Sequence, residues 1–351
     1  MCGELANIEV KAPGVVKLLG EHAVVYGRLA VAAAISIYAK AAVKQTEDQG
    51  FTILLPDVTG SRVSLDKNDL EALFGSFKAR KSIPAYFEDN NGIEEAVLPY
   101  ATIASRLFAE HKLNPEGIEV SIRSAIPLQK GFASSAACST AFTVSLLNYS
   151  KIALPDSSVI DIARDGDRII HMNEGAGAID VSTSYYGGYV SYSASAGARK
   201  EEIGTKLELL LVDTGPKKST AEMVNNVAES YKKDKMRVEK ILDQIDECSK
   251  AGINALKSGD IVGLGRLMLT DHELLSELGV SSDSLDAFID FARKNKFYGA
   301  KLSGGGGGGA AIGICDNVAT MEATARKSGF DARSMPVSLE GAKSFYLYKS
   351  E

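Results

Sequence analysis

Between residues 117 and 149 the chain alternates, turns and then winds, and that order constrains the local fold more than any other stretch. Gly117–Pro127 (GIEVSIRSAIP) alternates apolar and polar residues with period two and predicts a strand. From Ser134 to about Tyr149 the residues are small and apolar, the composition of a buried helix. The link between them is Gln129-Lys130-Gly131-Phe132-Ala133-Ser134-Ser135-Ala136-Ala137. A strand that enters a helix this way leaves the first-turn N–H groups without intrahelical partners. Together with the helix dipole, those donors attract an anion such as a phosphate. Gly131 and Ala133 let the backbone approach a ligand, and a serine hydroxyl can ligate Mg²⁺. A serine-capped core helix has the same local pattern, so the choice depends on the rest of the chain.

At 351 residues the chain is too long for one ordinary core and predicts two domains. The composition shift at Ser193–Thr205 (SASAGARKEEIGT) marks the boundary, giving an N-terminal domain over 1–195 and a C-terminal one over 206–351. A formal net charge of −6 gives no basic field for nucleic acid, so an anionic substrate must be held by local basic residues. Cys2, Cys138, Cys248 and Cys315 are scattered without paired spacing, which predicts buried thiols in a reducing compartment. The N-terminus carries Glu4 and Glu9 and no long apolar run, and no stretch of about 18 uncharged apolar residues occurs. A cytoplasmic protein with no membrane partner is expected.

Ile8–Leu19 reads as extended structure interrupted at Ala12-Pro13-Gly14, and Leu29–Val43 as another strand. Lys17 falls inside the apolar strand pattern, where an unpaired ammonium is costly, so it either snorkels or faces a polar site. Between the strands lies Gly20-Glu21-His22-Ala23-Val24-Val25-Tyr26-Gly27, a charged pair in a turn. Gln45 to about Ile93 is mixed, with no recognisable chemistry. Helical spacing covers Ala96–Leu113 and Pro155 to about Ile170. Asp180 follows among small and hydroxyl residues, either closing an Asx turn or serving as a base or cation ligand. Lys206–Gly215 reads as a strand, and Ser219-Thr220-Ala221-Glu222 as a capping box. Long helical patterns run over about Ala221–Lys257, Ile261–Leu278 and Ser282–Lys294. Six glycines, Gly304–Gly309, then precede the alternating run AAIGIC, and FYLYKS closes the chain as a last strand. The glycines formally contain G-x-G-x-x-G, but a dinucleotide fingerprint needs a helix after them. Between two strands they suit a loop pressing its backbone against a phosphate or against the other glycine-bearing loop.

Three stretches together carry a resemblance. Ala12-Pro13-Gly14 with Gly20–Gly27, then Ile126-Pro127 with Gly131–Ala137, and Gly299-Ala300-Lys301-Leu302-Ser303 with its glycines resemble the three motifs of the GHMP kinases. Asp271-His272-Glu273-Leu274-Leu275, Leu278-Gly279-Val280-Ser281, Val212-Asp213-Thr214-Gly215 and Ser219-Thr220 add to it, so the likeness spans nearly the whole chain.

The resemblance implies a two-domain α+β kinase, with a ribosomal-S5-like N-terminal domain, a ferredoxin-like C-terminal domain and ATP between them. The implied acceptor is a mevalonate-like small alcohol. Another superfamily chemistry stays open: a phosphorylated-mevalonate or homoserine kinase, a diphosphomevalonate decarboxylase, or a binder without catalysis. Carried over by position, Asp180 is the base or charge-orienting residue, and Glu21, His22, Ser182 and Thr183 line the substrate side. Lys130, Gly131, Phe132, Ala133, Ser134, Ser135 and Ala136, with Gly306 and Gly307, would bind ATP. Ser135 would ligate Mg²⁺ with an upstream carboxylate, Asp167 or Glu174. The chain departs from the family pattern at Val15, where a lysine is usual, and at Gln129 and Ala133, where glycines are usual. Lys17 points to the same strand face as Val15, displaced by roughly 6.6 Å, and is the catalytic lysine candidate. A homodimer is one assembly consistent with the resemblance.

Overall fold

The computed structural model describes residues 7–57, 60–88, 93–128, 130–216 and 218–347. Cys2, Glu4 and Gln129, considered above, lie outside the described residues. Two sheets organise the chain. The first contains β1 (Asn7–Leu19), β2 (Ala30–Gln45), β3 (Phe51–Leu55), β4 (Ser61–Leu65), β5 (Ile118–Ser124), β6 (Tyr189–Ser193) and β7 (Gly197–Glu201). The second is four-stranded, from β8 (Glu208–Asp213), β9 (Gly299–Leu302), β10 (Ala310–Ile314) and β11 (Asp331–Pro336), in the order β11-β8-β10-β9. The chain then returns: β12 (Lys343–Leu347) pairs antiparallel with β1 and completes the first sheet, ordered β12-β1-β2-β5-β3-β4. β6 branches off β2 and carries β7.

Eleven α-helices are defined among the described residues. α1 (Lys67–Ala79), α2 (Ile83–Glu88), α3 (Leu98–His111), α4 (Ser134–Tyr149), α5 (Asp156–Ile170) and α6 (Ala178–Tyr186) belong with the first sheet. α7 (Thr220–Lys233), α8 (Lys235–Ser258), α9 (Ile261–Glu277), α10 (Asp283–Lys294) and α11 (Val318–Lys327) follow β8. The continuous helical pattern read over 221–257 is two helices. Asp234, at φ −144°, breaks the first, and its carboxylate accepts from Arg237 N–H to cap the second.

Helix α4 is the axis of the first half, packed on β1, β2, α5 and α6. It is buried nearly all round, yet it carries hydroxyls. Thr140, Thr143 and Ser145 are tolerated there because each donates back to a carbonyl of its own helix, at 2.7–2.8 Å. In the second half, α9 lies so close on β9 that a side chain at Gly299 would meet the Gly265 carbonyl at 1.9 Å. That glycine-on-glycine crossing brings the C-terminal turns of α9 onto the β9 side chains.

Candidate active site

The strand-to-helix link between β5 and α4 forms the loop that the sequence predicts. Its Phe132 carbonyl accepts the Val15 N–H at 3.0 Å, tying the loop to β1. Ala133 sits at φ 54°, ψ 44° and opens α4, a left-handed conformation that costs an alanine roughly 1–2 kcal/mol. The two serines have different surroundings. Ser134 is buried and its hydroxyl pairs with the Ser124 hydroxyl at 3.0 Å, closing the turn. Ser135 faces His171 Nε2 at 3.1 Å, and the same nitrogen lies 3.6 Å from Oδ1 of Asp167 near the end of α5.

Burial pushes the Asp167 carboxyl above the ordinary carboxylate range, while His171 and Ser135 act against that. Its Oδ1 is buried without a hydrogen-bond partner. An orphaned carboxylate oxygen beside a serine hydroxyl is a hard-oxygen donor set of the kind Mg²⁺ takes. Glu174, the rival carboxylate, is exposed and pairs with Arg80 at 3.5 Å. Among the described residues no group of three or more His, Cys, Asp or Glu converges, so further ligands would be water and phosphate oxygens.

Lys17 reaches across to the first turn of α6. Its Nζ lies 2.5 Å from Asp180 Oδ1 and 2.6 Å from Oδ2. Both side chains are 19% exposed, so the pair borders solvent and remains accessible. Val15, two residues earlier on the same face, is buried against Ala30, Ala32 and Ile179. The strand delivers the charge from position 17, and position 15 is packing.

A second charge cluster lies out of solvent. Lys301 of β9 pairs with Glu21 and, at 3.3 Å, with Asp271 of α9; all three side chains are at most 2% exposed. Two carboxylates against one ammonium leave a surplus negative charge that a buried site does not tolerate. Burial, partly opposed by Lys301 and helped by the neighbouring Glu21 charge, pushes the Asp271 carboxyl up to about 8. Asp271 therefore holds a proton at neutral pH. His22, at φ 59°, places Nε2 3.0 Å from the Gly305 carbonyl. A carbonyl only accepts, so Nε2 carries the hydrogen and Nδ1 keeps its lone pair. Burial lowers the His22 pKa, which keeps the ring neutral.

The glycine run presses on its neighbours, as its position between strands predicts. Five of the six, Gly304 and Gly306–Gly309, have φ between 70° and 110°, a region that side chains disfavour. Gly307 donates to the Val280 carbonyl at 2.8 Å and accepts from Lys218 N–H at 3.0 Å. A Cβ at Gly306 would meet that same Val280 carbonyl at 2.1 Å. A Cβ on Gly131 would lie 3.0 Å from the Ala310 side chain and 3.5 Å from the Ser303 carbonyl, so the two glycine-bearing loops face each other. Lys130 spans the same gap to Asp213 at the end of β8, at 2.6 Å.

The structure thus brings Lys17, Asp180, Ser135 and Asp167 together around the first turns of α4 and α6. Lys130, Gly131, Phe132, Ala133, Ser134 and Ala136 form the loop beside them. Glu21 directs its carboxylate into the buried cluster. Ser182 and Thr183 are buried, and each hydroxyl donates to a carbonyl of α6 at 2.7 Å. Sequence reasoning assigned no role to Lys301, Asp271 or Ser303. A lysine inside the apolar strand GAKL is the same signal that singled out Lys17, and it was there to be read.

Two family models match the chain: "GHMP kinases N terminal domain" over residues 98–188 and "GHMP kinases C terminal" over 253–328. The mevalonate kinase of Pyrococcus abyssi is 32% identical over 303 residues, covering 84% of each chain. That of Pyrococcus furiosus is 33% identical over 348 residues, 96% of this chain and 98% of the relative. The crystal structure of the Methanococcus jannaschii mevalonate kinase superposes with a TM-score of 0.75 at 25% identity, covering 96% of this chain and 99% of that one.

Proposed function

The chain belongs to the GHMP kinases, and from that premise we propose that it transfers the γ-phosphoryl group of ATP to the 5-hydroxyl of (R)-mevalonate. The observation that carries the reading is the Lys17–Asp180 pair at 2.5 Å, accessible and set beside a loop of phosphate-binding form. Asp180 takes the proton of the acceptor hydroxyl; the freed oxygen attacks the γ-phosphorus, and the bond to ADP breaks with its electrons leaving on ADP. Lys17 holds Asp180 in place and offers positive charge to the phosphoryl group in flight. Phosphoryl transfer asks mainly for positioning and charge neutralisation, and these residues supply both.

The first-turn N–H groups of α4 would receive the nucleotide phosphates, with Lys130 leaving Asp213 to meet them. Ser135 and Asp167 would hold Mg²⁺, which when bound neutralises phosphate charge. Glu21 and His22 wall the acceptor side. We read the division into domains near residues 195–206 and place the enzyme in the cytoplasm, where ATP is available.

A coupled ADP-release assay over mevalonate, its phosphates, homoserine and sugars tests the reading. Release dependent on mevalonate supports it. Release with another acceptor shifts the assignment within the family. ATP binding without turnover on any of these alcohols makes the protein a binder and ends the proposal.

A further inference from the structure

One short stretch of the second half, from the end of β9 into the glycine run, grips three residues of the N-terminal site. Lys301, Ser303 and Gly305 alternate along it; Lys301 holds Glu21, Ser303 holds Lys17 and the Gly305 carbonyl holds His22. The Ser303 contact is unusual in what it binds. Its hydroxyl accepts the Lys17 N–H at 3.0 Å and donates to the Lys17 carbonyl at 3.2 Å. A single side chain, 286 positions away, thus serves both backbone groups of one residue.

That residue adjoins the point where β1 loses register with β2: Lys17 still opposes Ala32, Leu18 is the extra residue, and Leu19 opposes Val31. A bulge turns the strand beside it, and the N–H and C=O of Lys17 still need partners. Ser303 provides them. It is 2% exposed, and its own N–H is anchored to the Ala310 carbonyl at 2.9 Å, so the hydroxyl is held from the strand pair β9–β10. On the other side, Val15 is fixed by packing and by its bond to Phe132. Between these anchors the Lys17 backbone has one setting, and from it the ammonium reaches Asp180.

We infer that Ser303 is a positioning residue for the reaction: its hydroxyl fixes the backbone of Lys17 beside the bulge and thereby sets the Lys17–Asp180 pair. This rests on the catalytic reading of Lys17 given above. It also makes that pair dependent on the second half of the chain, because Ser303 leads directly into the glycine run that faces the phosphate loop. If the two halves shift relative to each other, the lysine moves with them.

The test is a double-mutant cycle in single-turnover phosphoryl transfer, with ATP and mevalonate saturating. Ser303→Ala is expected to lower the transfer rate by a factor on the order of 10, since displacements of about 1 Å carry penalties of that size or more. The KM for ATP should stay within about twofold, because the hydroxyl touches no proposed nucleotide ligand. Ser303→Thr, which keeps the hydroxyl, should recover most of the rate. In a Lys17→Met background, Ser303→Ala should have little further effect, as expected for two residues acting through one another. An equal loss in both backgrounds, or a lowered melting temperature with an unchanged transfer rate, overturns the inference. Full turnover in Lys17→Met removes the catalytic reading and this inference together. An inactive Lys17→Met beside a fully active Ser303→Ala removes the inference alone.

Discussion

Lys17–Asp180 and Lys301–Glu21–Asp271 are built from the same side-chain types, and both join segments more than 160 residues apart. They differ in their access to water. The first pair is about one-fifth exposed and has one cation for one carboxylate. The second is sealed, with a carboxyl group in excess that only a proton can balance. An accessible pair can exchange partners with a substrate at small cost. A sealed cluster cannot, because separating its charges exposes each to a medium of low dielectric constant. The first is suited to chemistry, and the second holds the turn at Glu21–His22 against α9 and β9.

The harshest way to break this contrast is to remove the cation from the sealed cluster. Lys301→Met leaves the buried Glu21 carboxylate without a cation, beside the protonated Asp271, and breaking a buried pair this way costs about 3–5 kcal/mol. The denaturant midpoint should fall accordingly. A midpoint near wild type would mean that water enters the cluster and the contrast is lost.

Next comes the accessible pair. Asp180→Asn should reduce turnover by a factor on the order of 10² or more, the range of general base catalysis. ATP affinity and melting temperature should barely change, as read by nucleotide titration and calorimetry. A variant that turns over normally makes Asp180 structural. Ser135→Ala should slow transfer and raise the Mg²⁺ requirement, whereas Ser134→Ala should act mainly on stability through the lost bond to Ser124. Equal effects from both would return the loop to a capped core helix.

A milder probe is pH. The Asp271 pKa is raised, so the folded state keeps a proton that the unfolded chain releases above about 3.8. Its contribution to stability is present below that value and is lost as pH rises toward about 8. His272, lowered to about 4 by burial, and His22, also lowered, work in the opposite sense and only below their ordinary value of 6.5. From about pH 6.5 to 8 Asp271 therefore acts without them, at up to about 1.4 kcal/mol per pH unit. The nearby Cys248 thiol, which burial raises to about 11 with Asp271 adding to it, stays neutral here. Asp271→Asn should flatten that slope in urea titrations across the window, and an unchanged slope refutes the proton held on Asp271.

The smallest effect concerns backbone. Ala133→Gly removes a left-handed alanine and should raise stability by up to about 1 kcal/mol, partly offset by the unfolded-state entropy of glycine. A loss of stability would show that the Ala133 methyl, which packs with Ala136, Ala163 and Val181, outweighs the strain.

Much of this fold was legible because backbone pattern is a local property. The strand over 118–124, helix α4 and the glycine run between two strands follow from periodicity and from where small residues fall. Other elements were not. Helix α6 spans only nine residues, too few for a periodic signal, and the break at Asp234 hides in a stretch of uniformly helical composition. Asp180 and Lys17 could be nominated from an ion-bearing position in an apolar or small-residue setting. An anionic partner for Lys17 could be expected too, with Asp180 and the transferred phosphate as candidates, but not which of them it meets.

The sequence by itself determined which segments would become strands, helices and tight loops, and which residues were too costly to bury alone. It also carried the resemblance that the relatives bear out. Tertiary structure decided the pairings: Lys17 with Asp180, Glu21 with Lys301, Ser135 with His171, Ser303 with the backbone of Lys17. The reason is geometric. A period-two strand says which face a side chain takes, but its partner depends on register, and register here is broken at Pro13/Gly14 and again at Lys17/Leu19. Only the packed chain fixes how far each bulge turns the strand, and with it whether a buried lysine meets an accessible carboxylate or a sealed one.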